Sequence, residues 1–145
     1  MKYLIQIILV INLLMLGGCA SPTTYQSQGL TGGYSDSKYE DKENTYYVRF
    51  SGNGNTSQRR ANDFALLRAA VLARKNLSPY FEVIYLKNVI NQGSSGTAGV
   101  YTFKPEVVIE VKLINESNNK VDTFDTEKLI SQLTTQYLID ESTLQ

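Results

Sequence analysis

From Thr45 onward the chain alternates: Tyr46, Val48 and Phe50 interleave with Tyr47, Arg49 and Ser51, the period of two that marks a strand with one buried face. Asn53, Gly54 and Asn55 break that rhythm. Thr56 offers a hydroxyl to an unpaired first-turn amide, so a helix is predicted from about Ser57 to Leu77, rich in Ala, Leu and Arg and stopped by Pro79. Tyr80 to Ile90 returns to aromatic and β-branched residues and predicts a second strand, and Asn91 to Gly99 reads as a Gly and Ser loop. In a third strand, Tyr101 to Ile114, one face carries Val107, Ile109, Val111 and Leu113, and the other carries Glu106, Val108, Glu110 and Lys112. Pro105 marks a bulge there or the true start of the strand. After a polar connection from Asn115 to Asp122, Asp125 caps a closing helix from Thr126 to about Ile139. Phe124 is placed to staple onto Leu129, and Leu129, Ile130, Leu133 and Tyr137 form the inward stripe.

The order β-α-β-β-α predicts an α+β domain over residues 45–145, with a three-stranded, mainly antiparallel sheet and two helices on one face. A right-handed crossover makes the first two strands parallel, and a third strand between them makes every pairing antiparallel.

The apolar residues are unevenly spread. Lys2 is followed by a run from Leu4 to Leu16, interrupted by Gln6 and Asn12, and then by Leu16-Gly17-Gly18-Cys19, which describes an export signal. Such a run rises about 20 Å, short of a hydrocarbon core about 30 Å thick. The LGGC ending resembles a bacterial lipobox. Residues 1–18 are then a lipoprotein signal peptide and Cys19 carries a diacylglyceryl thioether with palmitate-like chains. The competing reading is an ordinary signal peptide with a coincidental Cys. Each buried methylene contributes about 0.8 kcal/mol, so more than one chain makes attachment persistent. Ala20 stands where an inner-membrane retention signal would place Asp, which favours the outer membrane, with the domain facing the periplasm. Residues 19–44, rich in Gly, Ser, Thr and Gln, are expected to be a flexible tether reaching about 25 to 30 Å, with Tyr25, Tyr34 and Tyr39 as solvated linker residues or edge contacts.

Composition narrows the chemistry. The 145 residues carry 14 basic and 14 acidic side chains, no His and one Cys. Zero net charge argues against nucleic acid, whose phosphates call for an excess of cations. Without His, a Ser-His-Asp triad, a Cys-His pair and a His-containing zinc site cannot be built, and one Cys excludes an internal disulfide. No enzyme activity, cofactor or metal is expected.

Arg68 lies on the packing face of the first helix, with Ala61, Phe64 and Leu72. Its guanidinium suits an anion clamp, but the favoured reading is a stem packed on the sheet and a head paired with Glu82, Glu106, Glu110 or a carbonyl. Glu106 and Glu110 share a strand face with backbones about 14 Å apart, wider than the separation of about 5 to 9.5 Å used by catalytic carboxylate pairs. Asp122 and Asp125 read as turn and cap residues, because no calcium loop follows them. Gly93, Gly96 and Gly99 lack the Lys of a phosphate loop and read as hairpin glycines. Arg59 and Arg60 oppose the helix macrodipole and read as an exposed pair or a contact surface.

Taken together, these residues resemble a family of small, uncharacterised bacterial envelope lipoproteins. The resemblance rests on the lipobox, on Gly32 to Asp36 with its Tyr-Ser-Asp ending, and on Tyr46-x-Val48-x-Phe50. It continues through Asn53 to Thr56, Asp63-Phe64, Leu66-Leu67-Arg68-Ala69-Ala70 and the aromatic strand from Tyr80. It spans roughly Cys19 to Ile84, with Val71 where similar proteins often carry Glu. It implies an address and no activity. The expected role is a non-enzymatic interaction or accessory module with an envelope protein partner, contacted through the sheet face opposite the helices by Tyr47, Arg49, Glu106, Glu110 and Lys112. The alternative is a soluble-ligand or enzyme-inhibitor module using the loop from Gln92 to Gly99.

Overall fold

The computed structural model describes residues 21–94, 99 and 101–144; the apolar N-terminal run, Cys19 and residues 95–98 lie outside the described residues. The elements follow in the order β1 (Gly33–Lys38), β2 (Thr45–Ser51), α1 (Gln58–Lys75), β3 (Tyr80–Ser94), β4 (Tyr101–Ile114), β5 (Thr123–Asp125), α2 (Thr126–Tyr137) and a 3-10 turn at Glu141–Thr143. One sheet runs β1-β2-β4-β3-β5, every neighbouring pair antiparallel. The α+β class holds, and β4 does lie between β2 and β3.

The sheet has five strands, which corrects the expectation of three. Both extra strands come from segments without a legible period. β5 is three residues long, too short to show one. β1 comes from the segment expected to be tether, and only Tyr34 brings a large apolar side chain to its inner face. Gly33 makes β1 possible: its φ is 140°, and a Cβ there would lie 2.5 Å from the Gln26 carbonyl oxygen. The chain before β1 therefore folds back close enough for Tyr34 to donate its amide to the Gln26 carbonyl and to accept from the Gln28 amide, each at 2.8 Å.

Ser57 rather than Thr56 caps α1, its Oγ accepting from the Arg60 amide. Thr56 instead accepts from the Thr23 amide at 2.9 Å, pinning the N-terminal segment. From Phe64 onward α1 is buried almost all round, because the sheet covers one side and α2 another, and its Ala residues allow close approach. Phe50, Phe64 and Phe81 fill the core with Val107, Ile109, Val111, Leu67 and Ile130. Asp125 caps α2 as expected, accepting from the Lys128 amide, while Phe124 stacks on Phe81 at 5.4 Å between ring centres.

β3 continues to Ser94, beyond its expected end at Ile90, so β3 and β4 project past the rest of the sheet as a two-stranded arm. The bulge falls between Val83 and Tyr85 of β3, not at Pro105, whose carbonyl accepts the Gly52 amide at 2.8 Å.

Candidate functional site

Arg68 is 8% exposed, and its Nε donates to Asp36 Oδ1 of β1 at 2.6 Å while its guanidinium lies 4.3 Å from the centre of the Tyr34 ring. The packed-stem reading of Arg68 therefore describes the contact, with a different partner. No local pattern points to Asp36 as that partner, because it lies in the segment expected to be tether. Tyr25 completes the cluster, 4.8 Å from Tyr34 and 5.8 Å from Phe64 between ring centres. Burial pushes the Tyr25 phenol well above its usual range, with Arg68 beside it acting the other way. Burial opposes the charge on Arg68, and its bond to Asp36, the negative charge there and the Tyr25 and Tyr34 phenols together more than offset it, holding the guanidinium protonated. This cluster fastens residues 21–38 onto α1.

Tyr47, Arg49, Glu106, Glu110 and Lys112 share the sheet face away from the helices. Arg49 pairs with Glu106 at 2.5 Å, and Glu106 also receives the Asn91 side-chain amide at 3.3 Å. Glu110 receives Lys42 at 2.6 Å and the Tyr39 hydroxyl at 3.3 Å, both from the β1–β2 connection. The hydrogen bond to Glu110 raises the Lys42 ammonium above its ordinary value. Lys112 lies across the ladder from Glu82, which accepts from Lys120 at 2.6 Å and is held below the usual carboxylate range by that bond. The acidic groups of this face are therefore committed to neighbouring residues. Arg60, half of the Arg59 and Arg60 pair, lies over the rings of Phe64 and Tyr137.

The free outer edge of β3 is where apolar side chains gather on the surface. β5 covers only Tyr80 to Glu82, and the Val83 amide still donates to the Asp122 carbonyl at 2.9 Å. From Ile84 to Ser94, no strand among the described residues pairs with that side. Ile84, Tyr85, Leu86 and Ile90 are 47%, 52%, 49% and 64% exposed, and Tyr101 and Phe103 on the adjoining β4 stretch are each 58% exposed. Where β5 stops, a hollow of about 220 Å³ opens between Leu66, Val83, Leu86 and Phe124. Sequence patterning missed this surface because a strand and a strand edge have the same period. The available signal was the apolar triplet Ile84-Tyr85-Leu86 and the pair Val89-Ile90, either side of Lys87 and Asn88, which place apolar side chains on both faces of the strand where a single buried face requires alternation.

Among the described residues, no group of three or more His, Cys, Asp and Glu side chains could hold a metal ion, and no helix is long and apolar enough to cross a membrane. Compared with protein-family models, curated proteins and solved structures, the chain matches none.

Proposed function

We propose that this chain is a lipoprotein of the bacterial outer membrane, anchored through Cys19 and facing the periplasm, whose α+β domain works by non-enzymatic binding to a protein. The Leu16-Gly17-Gly18-Cys19 ending supports the anchor. The observation that carries the binding role is the bare edge of β3, apolar and exposed, beside a hollow large enough for a side chain. Exposed apolar strand edges invite pairing with another chain, and an extended segment laid on one gains main-chain hydrogen bonds along its length. The polar sheet face offers less, because its acidic groups already have partners.

A photoreactive side chain at Tyr85 is expected to yield one discrete protein product in intact cells, and the same group at Tyr47 to yield none. Mass spectrometry of Cys19 is expected to find acyl chains. A discrete product from Tyr47 alone, or a processed protein with a free Cys19 thiol in the medium, overturns the proposal.

A further inference from the structure

Resting on the reading of the β3 edge as the contact surface, we infer that its occupant is a second copy of this chain, paired antiparallel on the same edge with the two-fold axis at Val89. The backbone decides which groups are available. In β4 the odd residues direct their amides toward β2: Leu113 donates to the Asn44 carbonyl, and the Pro105 carbonyl accepts from Gly52. The even residues of β4 therefore face β3, where Glu110, Val108, Glu106 and Lys104 meet Tyr85, Lys87, Val89 and Asn91. Leu86, Asn88, Ile90 and Gln92 are left with their amides and carbonyls pointing outward from the sheet. An antiparallel copy of the same edge offers the same groups in reverse order.

The register follows from the ends of the gap. On the near side, Thr123 and Asp122 occupy the lane beside Glu82 and Val83. On the far side, Ser94 is the last described residue of β3. Pairing the whole free run with itself sets Ile84 opposite Ser94 and puts Val89 on the axis. Leu86 then meets Gln92 of the second copy and Asn88 meets Ile90, so every outward amide is matched. Moving the axis to Lys87 sets that ammonium against itself and drives the second Ser94 into the β5 lane. Moving it to Ile90 or beyond leaves the edge beside Ile84 bare.

At the Val89 register the side chains are self-complementary. On the open face Val89 packs on Val89 at a non-hydrogen-bonded position, where side chains approach most closely. Lys87 lies opposite Asn91 with no like charge facing it, and the Tyr85 ring lies over Gly93, which has no side chain to obstruct it. Both helical layers fall on one side of the joined sheet.

The test uses the full chain in membranes, where the wild type, with Cys19 its one cysteine, sets the background. Val89→Cys is expected to form a disulfide dimer on mild oxidation, because Cα atoms at such a pair lie about 4.5 Å apart, within disulfide reach. Leu86→Cys is expected to stay at background, its equivalent lying far along the ladder. Equal crosslinking of the two variants, or none from Val89→Cys, overturns the inference. A second measurement does not depend on cysteine: sedimentation of the detergent-extracted chain. Val89→Asp, which sets two carboxylates against each other on the axis, is expected to weaken association many-fold, and Val89→Ile, which keeps an apolar contact there, to leave it nearly unchanged. Identical effects of these two substitutions, or a monomer at every concentration, overturn self-pairing. A monomer whose Tyr85 position still crosslinks to a different protein leaves the contact-surface proposal standing.

Discussion

On the β1 side of the sheet, residues 26–28 fold over the outer amide and carbonyl of Tyr34, the strand is six residues long, and Asp36 and Lys38 put charge along it. On the β3 side, no strand among the described residues covers the run from Ile84 to Ser94, Lys87 is its one charge, and it presents Ile84, Tyr85, Leu86 and Ile90 to solvent. The same sheet thus closes one edge and leaves the other open. Covering and charging are how soluble sheets avoid edge-to-edge association. Cover on the β1 side, against a single Lys87 on the β3 side, separates a part of the molecule that serves folding from a part open to contact.

The contrast breaks most severely at the fastening of the closed edge. Arg68→Ala leaves Asp36 without its cation in a partly buried site and removes the surface under Tyr34. A loss of about 2 to 4 kcal/mol in urea unfolding is expected, between the values for surface and for buried pairs. Arg68→Lys is expected to recover only part, because an ammonium cannot both hydrogen-bond through a planar fork and stack on the Tyr34 ring. Association through β3 should survive in whatever fraction remains folded.

Next in size is Gly33→Ala. The φ of 140° and the Gln26 and Ser27 carbonyl oxygens at 2.5 Å from the added Cβ leave no unstrained position for it. A cost of about 1 to 3 kcal/mol is expected, as for residues forced into sparsely populated backbone conformations. The loss should be local, so trypsin is expected to cut after Lys38 faster while cuts after Lys87 change little. Equal acceleration at both sites would mean that the β1 edge is not an independently opening unit.

These two residues also mark the limit of what patterning reveals. The alternation in Thr45 to Ser51 and Val107 to Leu113, the cap Asp125 and the stop at Pro79 are local signals, and β2, α1, β4 and α2 stand where they point, although the cap of α1 is Ser57, one residue past the expected Thr56. β1 has no such signal. Its order depends on contacts distant in sequence, Asp36 with Arg68 and Thr23 with Thr56, and no window along the chain contains both partners. A segment of Gly, Ser and Thr with a few Tyr reads as linker until something across the fold holds the Tyr residues. The open edge was hidden differently: composition gave Ile84 to Ile90 correctly as strand, but whether a strand is central or at an edge is decided by how far β5 extends.

A smaller effect is expected from alkali. Because burial raises the Tyr25 phenol, the folded protein holds that proton more tightly than the unfolded chain. The sign follows: the contribution is complete below the ordinary phenol range of about 10, and it fades as pH rises through the raised value. Tyr25→Phe is expected to flatten the loss of stability above about pH 10. Tyr137, also raised by burial and by its bond to Asp63, accounts for part of the remaining slope. Loss of protection in residues 21–38 before the β3–β4 arm, followed by hydrogen exchange across that pH range, checks that the closed edge opens first.

The smallest effect is expected at Phe103, and it sharpens the contrast most. Phe103 lies on the same face of β4 as Val107, yet it is 58% exposed where Val107 is buried, because the arm extends beyond α1. A side chain that keeps most of its contact with water when folded gains little from folding. Phe103→Ser is therefore expected to change unfolding free energy by less than about 0.5 kcal/mol at protein concentrations where the chain is monomeric. A loss of 2 kcal/mol or more, on the scale of a core truncation, would mean that the arm packs back on the domain and serves folding like the β1 edge. No effect on folding, together with weaker association, would place the arm on the contact side, since a ligand of the native state adds to apparent stability only as it binds.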